Sequence, residues 1–202
     1  MTKTIISTLI ATSALIATPA LAATGDVTGT INVTGTVGAR CSVIAPGGTV
    51  ENQAYTGTID LKRLDAADGT LRSTLAGAAT AADGIKVNAR IVCTSANPTV
   101  GVSATKLNTG GATDPGAGYS NDIDYTAQIK VKAASGAYKT VTYSTLTDTT
   151  AKTAALGERI AGGSADNVEV SIYNLASEAG ATSLLASGSY TSTVTVTIQP
   201  TV

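Results

Sequence analysis

Asp26-Val27-Thr28-Gly29-Thr30-Ile31-Asn32-Val33-Thr34-Gly35-Thr36-Val37 alternates without interruption. Val27, Gly29, Ile31, Val33, Gly35 and Val37 share one side, and Asp26, Thr28, Thr30, Asn32, Thr34 and Thr36 the other. Side chains on a strand have a period of two, so this stretch reads as a strand that buries one face and exposes the other. The pattern continues through Ala39 and Cys41 to Val43 and is broken by Pro46-Gly47-Gly48. A first strand of the folded body is therefore expected at about residues 36–44.

The same period returns along the chain. Ile85, Val87, Ala89, Ile91 and Cys93 align, and Asn97-Pro98 turns the chain into a partner carrying Val100, Val102 and Ala104. Residues 108–122, with Asp114-Pro115-Gly116, read as a long Gly-rich loop. Ile123, Tyr125, Ala127, Ile129 and Val131 align next, and Ser135-Gly136 makes a tight turn into residues 138–146. Val168, Val170, Ile172 and Asn174 begin a penultimate strand. The last strand follows Gly188, with Tyr190, Ser192, Val194, Val196 and Ile198 on one side and Thr191, Thr193, Thr195 and Thr197 on the other. Residues 65–84 read as a loop with one short helix, and 147–167 as an Ala/Gly-rich connection with a helical turn. This amounts to about eight strands with little helix, which argues for an all-β sandwich. No internal repeat and no interdomain linker is apparent.

The first residues carry an export pattern. Lys3 precedes an apolar run containing Ile5, Leu9, Ile10, Leu15 and Ile16, which ends in Pro19-Ala20-Leu21-Ala22. That is a signal peptide over residues 1–22 with an A-x-A-type site, leaving about 180 residues as one domain. A membrane anchor is the alternative, but the run is short, interrupted by Thr and Ser, and broken by Pro19. No Cys follows the cleavage site, so a lipid anchor is not expected. The two cysteines, Cys41 and Cys93, read as one disulfide in an oxidising compartment.

Composition narrows the chemistry. Net charge is −1, and Phe, Trp and His are absent, which disfavours nucleic acid as a partner. Without His there is no Ser–His or Cys–His nucleophile pair, and two cysteines alone do not make a structural zinc site. Ser103-Ala104-Thr105-Lys106 matches an S-x-x-K pattern but lacks its companion motifs. The pairs Asp65/Asp68 and Asp122/Asp124 sit beside turn residues and read as backbone-bending carboxylates. Tyr119, Tyr125, Tyr138, Tyr143, Tyr173 and Tyr190 read as the large members of a core without Phe, with a carbohydrate platform as the alternative. No catalytic residue, metal site or cofactor is expected, and the chain is not read as an enzyme.

These features together resemble the subunits of chaperone–usher pili. The alternating N-terminus resembles their donor strand. Cys41 and Cys93 resemble the disulfide of the archaic, spore-coat-U-like branch, where Val-x-Cys precedes a second strand as Ile91-Val92-Cys93 does here. The end, from Gly188-Ser189-Tyr190 through Val194, Val196 and Ile198, looks like the closing strand of that superfamily. Residues 123–172 are similar to colonisation-factor-like subunits of the alternative branch. The resemblance covers most of the mature chain in pattern but only its ends in motif. This chain runs on past Ile198 through Gln199-Pro200-Thr201-Val202, where many relatives stop at an aromatic.

The resemblance implies an incomplete immunoglobulin-like β-sandwich over residues 35–202, completed by donor-strand exchange with residues 23–34 of another subunit. It implies a donor face of Val27, Gly29, Ile31 and Val33, and a closing strand presenting Tyr190, Val194, Val196 and Ile198. Partners would be other pilin subunits, a periplasmic chaperone and an outer-membrane usher. The product would be a cell-surface fimbrium supporting adhesion or biofilm formation. The rival reading is a self-contained secreted β-sandwich binding module, for a glycan or a surface ligand, in which residues 24–37 pair within their own chain.

Overall fold

The computed structural model describes residues 30–44, 51–52, 54, 56–110 and 116–201. The signal-peptide segment, Val27, Gly29 and the Pro46-Gly47-Gly48 break lie outside them. The chain divides into two compact units, Met1–Thr36 and Val37–Val202.

The second unit is all-β. In chain order it contains β1 (Cys41–Ile44), β2 (Glu51–Asn52), the single turn of helix α1 (Ser73–Ala76), β3 (Ile85–Cys93), β4 (Thr99–Ala104), β5 (Leu107–Asn108) and β6 (Tyr119–Ser120). There follow β7 (Asp122–Lys132), β8 (Tyr138–Ser144), β9 (Lys152–Ala155), β10 (Val168–Ser177), β11 (Leu184–Leu185) and β12 (Val194–Gln199). The larger sheet runs β2-β1-β3-β10-β7-β5, with β8 also on β7. A second sheet runs β12-β4-β9, and β11 pairs with β6 in parallel.

Period two explains β7. Ile123, Tyr125, Ala127, Ile129 and Val131 are buried, and Thr126, Gln128, Lys130 and Lys132 alternate with them. β10 lies antiparallel beside it, pairing Val168 with Val131 and Ile172 with Ala127. The register shifts between Tyr173 and Ala176, where Asn174 adopts φ 55°. Asn tolerates that left-handed conformation better than most residues, and the bulge returns Leu175 to the core. β3 flanks β10, pairing Val170 with Val87 and Ile172 with Ile85. Gly84 admits the chain into β3, because a Cβ there would come within 2.3 Å of the Ile172 carbonyl oxygen.

Just before β10, Asn167 completes the ladder with its side chain. Its Oδ1 accepts from Ile91 N at 2.8 Å, and its Nδ2 donates to Ile91 O at 2.7 Å and to Ala161 O at 2.8 Å. Both main-chain groups of Ile91 are thereby satisfied in a buried position.

Several expectations need correction. The first strand begins at Cys41; residues 30–40 belong to no strand. Alternation gives a segment two faces but not a partner, and an unpaired strand does not hold itself. The connection 147–167 contains β9 and no helical turn, and the loop 108–122 is interrupted by β6. The closing strand starts at Val194, with Tyr190 and Ser192 preceding it.

Candidate groove beside the last strand

β12 is joined to β4 by six residue pairs, from Val194↔Ala104 to Gln199↔Thr99. On its other side it has no strand partner among the described residues. Both ends are nevertheless held. At the start, Thr105 N donates to Thr193 O at 3.0 Å, and Ser192 Oγ donates to Thr105 O at 2.6 Å. At the end, Thr201 N donates to Ser95 Oγ at 3.0 Å, and Thr201 Oγ1 donates to Asn97 O at 2.6 Å. Residues beyond Ile198 thus fasten the strand, and its free edge is fixed in place.

That edge borders a groove of about 620 Å³. β12 contributes Val194, Val196 and Ile198, all half-buried. The facing wall is Val168, Val170 and Ile172 of β10 with Val87, Ala89 and Ile91 of β3. Cys41, Ser42 and Val43 of β1 form a side, continued by Ala54, Gly57, Ile59 and Leu61. Leu107, Tyr125, Thr191 and Ser192 complete the lining. Among the described residues no Asp, Glu, Lys or Arg lines the groove, so a charge buried there by an incoming strand would meet no partner among them.

Tyr125 is the one tyrosine of this lining among the described residues. Because Ser192 Oγ already donates to Thr105 O, the Tyr125 hydroxyl donates to Ser192 Oγ at 2.5 Å. Burial pushes Tyr125 above its ordinary pKa of 10.0.

Cys41 and Cys93 are joined in a disulfide with Cα atoms 4.0 Å apart, directly opposite in the β1–β3 register. The bond ties the side of the groove to its wall. Ile31 and Val33 are 88% and 90% exposed, and Val37 82%. Tyr190 does not line the groove; its hydroxyl donates to Ser120 O at 2.8 Å, with Ala186 O as the alternative acceptor at 3.1 Å.

The other candidates resolve into structural roles. Lys106 pairs with Glu178 at 2.8 Å, which raises the lysine's pKa. Asp65 pairs with Arg63 at 2.8 Å, and Asp68 accepts from Thr70 N and Oγ1 at 3.1 and 2.8 Å. Asn108 Nδ2 donates to Asp122, and Thr145 Oγ1 to the buried Asp124 at 2.8 Å. Tyr125 and Tyr143 are buried as expected, but Tyr119 and Tyr138 are exposed, the latter with Lys130 Nζ 4.5 Å from its ring centroid. Among the described residues no cluster of His, Cys, Asp or Glu could hold a metal. None of their helices is long and apolar enough to cross a membrane.

Sequence reasoning missed the contribution of Ala54, Gly57, Ile59 and Leu61. They form no strand, and the signal for them, the alternation of Gly57, Ile59 and Leu61, is short. No protein-family model, curated protein or solved structure matches this chain.

Proposed function

We propose that this chain is a structural subunit of a bacterial surface pilus, an incomplete immunoglobulin-like β-sandwich that polymerises by donor-strand complementation. The observation that supports the reading is the groove of about 620 Å³, uncharged among the described residues, beside the edge of β12 that none of their strands pairs. An open apolar groove next to a free strand edge is an aggregation hazard unless something fills it. The alternating N-terminal segment of another copy has the right chemistry. Burying Val27, Ile31, Val33 and Val37 would contribute roughly 1.5–3 kcal/mol each in gross terms, and the edge of β12 would supply main-chain hydrogen bonds. In this reading the chain is exported, a periplasmic chaperone covers the groove first, an outer-membrane usher passes the subunits on, and the fimbrium serves adhesion or biofilm formation.

The test uses opposite faces of one segment. Ile31→Asp or Val33→Asp should abolish SDS-resistant ladders and surface fibres seen by electron microscopy, because a buried carboxylate without a partner costs several kcal/mol. Thr30→Asp and Asn32→Asp should assemble, since period two turns them outward. Equal assembly by both sets sinks the assignment. A stable monomer with residues 24–37 paired into its own groove would instead establish the self-contained binding module.

A further inference from the structure

Thr28-Gly29-Thr30-Ile31-Asn32-Val33 recurs as Thr56-Gly57-Thr58-Ile59-Asp60-Leu61, with Asp for Asn and Leu for Val. This recurrence corrects the view of the chain as free of internal repeats. The second copy stands at the groove: Gly57, Ile59 and Leu61 line it, Leu61 buried, Ile59 half-buried and Gly57 exposed, while Thr56, Thr58 and Asp60 are exposed and do not line it. Face for face, it presents to the groove the series that the donor segment carries.

The two ends of this second copy are held differently. Leu61 is buried in the core and its carbonyl accepts from Arg72 Nη2 at 3.3 Å. Lys62 follows with φ 60°, which ends the extended run. Residues 56–60 make no main-chain to main-chain hydrogen bond among the described residues and belong to no strand. Ile59 is only half-buried. Among the described residues the segment is thus a strap outside any strand, fixed at Leu61 and without main-chain hydrogen bonds over 56–60.

We propose that residues 56–60 are a resident stand-in for the donor strand, which residues 28–33 of a second copy displace. This rests on the strand-addition reading above. The exchange is nearly even in side chains, Gly and Ile leaving as Gly and Ile enter. What favours the incoming strand is the free edge of β12, whose main-chain groups the strap leaves unpaired. The strap covers apolar surface in the unassembled subunit, where exposure carries the risk of aggregation. Because the strap lines one side of the groove, an incoming strand must push it aside, which lowers the apparent affinity by the cost of that displacement.

The experiment uses the full chain carrying Ile31→Asp, which disables its own donor face, with a synthetic peptide of residues 24–37 as donor. An added Ile59→Cys provides the one free thiol, since Cys41 and Cys93 are bridged. Saturating peptide should slow hydrogen exchange in β12 at least about tenfold by pairing its edge, and should speed maleimide modification of the Ile59→Cys thiol several-fold. Protection of β12 with an unchanged or slower thiol rate overturns the stand-in while leaving strand addition intact. No change in either readout overturns strand addition, and the stand-in with it. As an independent arm, Ile59→Thr in the Ile31→Asp chain should bind the peptide about fivefold more tightly, the change expected from relieving about half an isoleucine's burial. Equal or weaker binding would make Ile59 a fixed wall of the site and overturn the proposal.

Discussion

β7 and β12 carry the same kind of sequence and occupy different situations. Ile123, Ile129 and Val131 of β7 are 0% exposed, with β10 on one edge of the strand and β5 and β8 on the other. Val194, Val196 and Ile198 of β12 repeat the alternation, yet they are half-buried and, among the described residues, their strand is paired on one edge only. Alternation states which face of a strand is apolar. It does not state whether that face is covered, nor how many edges are paired. Residues 30–37 are a third version of the pattern, with the apolar face exposed and no strand formed.

A carboxylate placed in each strand should break the two apart. Ile129→Asp buries a charge in the interior of β7, where nothing solvates it, and should prevent folding; several kcal/mol is a large part of the total stability of such a domain. Val196→Asp faces the open groove and should leave a folded, oxidised monomer whose far-UV circular dichroism matches the parent. Under the proposed strand addition it should at the same time stop assembly. If both variants fold, or neither does, the contrast between a closed interior and an open edge is wrong.

A smaller effect tests where the interior ends. Asn167 satisfies both main-chain groups of Ile91, a residue of the groove wall. Asn167→Ala leaves them buried without partners, at about 1–3 kcal/mol for each unsatisfied group. Urea unfolding of the monomer should show a lower midpoint with unchanged slope. Asn167→Asp keeps an acceptor for Ile91 N but turns a carboxylate oxygen toward the Ile91 and Ala161 carbonyl oxygens, and should lose at least as much as Asn167→Ala if the ladder explanation holds. A clearly smaller loss in Asn167→Asp would assign the role of Asn167 to packing.

The strands were largely legible because period two survives in Thr, Val and Ile. β3 occupies residues 85–93 as the alternation of Ile85, Val87, Ala89, Ile91 and Cys93 implies, and the short helix falls within 65–84. β9 was hidden because Lys152-Thr153-Ala154-Ala155 has no large apolar residue to mark a face. β5, β6 and β11, of two residues each, are made by tertiary pairing and have no local period to read. At the groove, Val194, Val196 and Ile198 were legible as one apolar face. The strap at 56–61 was not, because its extended form has no ladder and its role depends on where Leu61 is anchored. The same applies to the fastening of Thr201 by Ser95, a contact between residues far apart in the chain.

The smallest predicted effect concerns Tyr125, which belongs to both regions: it is a buried residue of β7 and part of the groove lining. Burial favours its neutral form and raises its pKa above the ordinary 10.0. Below about pH 10 the phenol is protonated in folded and unfolded chains alike, and its titration contributes nothing to pH dependence. Above that, the unfolded chain releases the proton while the folded chain keeps it. Stability therefore falls as pH rises from about 10 toward the folded-state pKa, and the loss is complete above it. Tyr125→Phe removes this dependence together with the hydrogen bond to Ser192, which is worth about 0.5–1.5 kcal/mol near neutral pH. The parent should accordingly be more stable than the variant at pH 9, and its lead should shrink or reverse at pH 11. Tyr190, also raised by burial, is present in both proteins and cancels in the comparison. A lead that stays constant across this range would mean that the Tyr125 hydroxyl is solvated, and that the groove is open to water at the Tyr125–Ser192 contact.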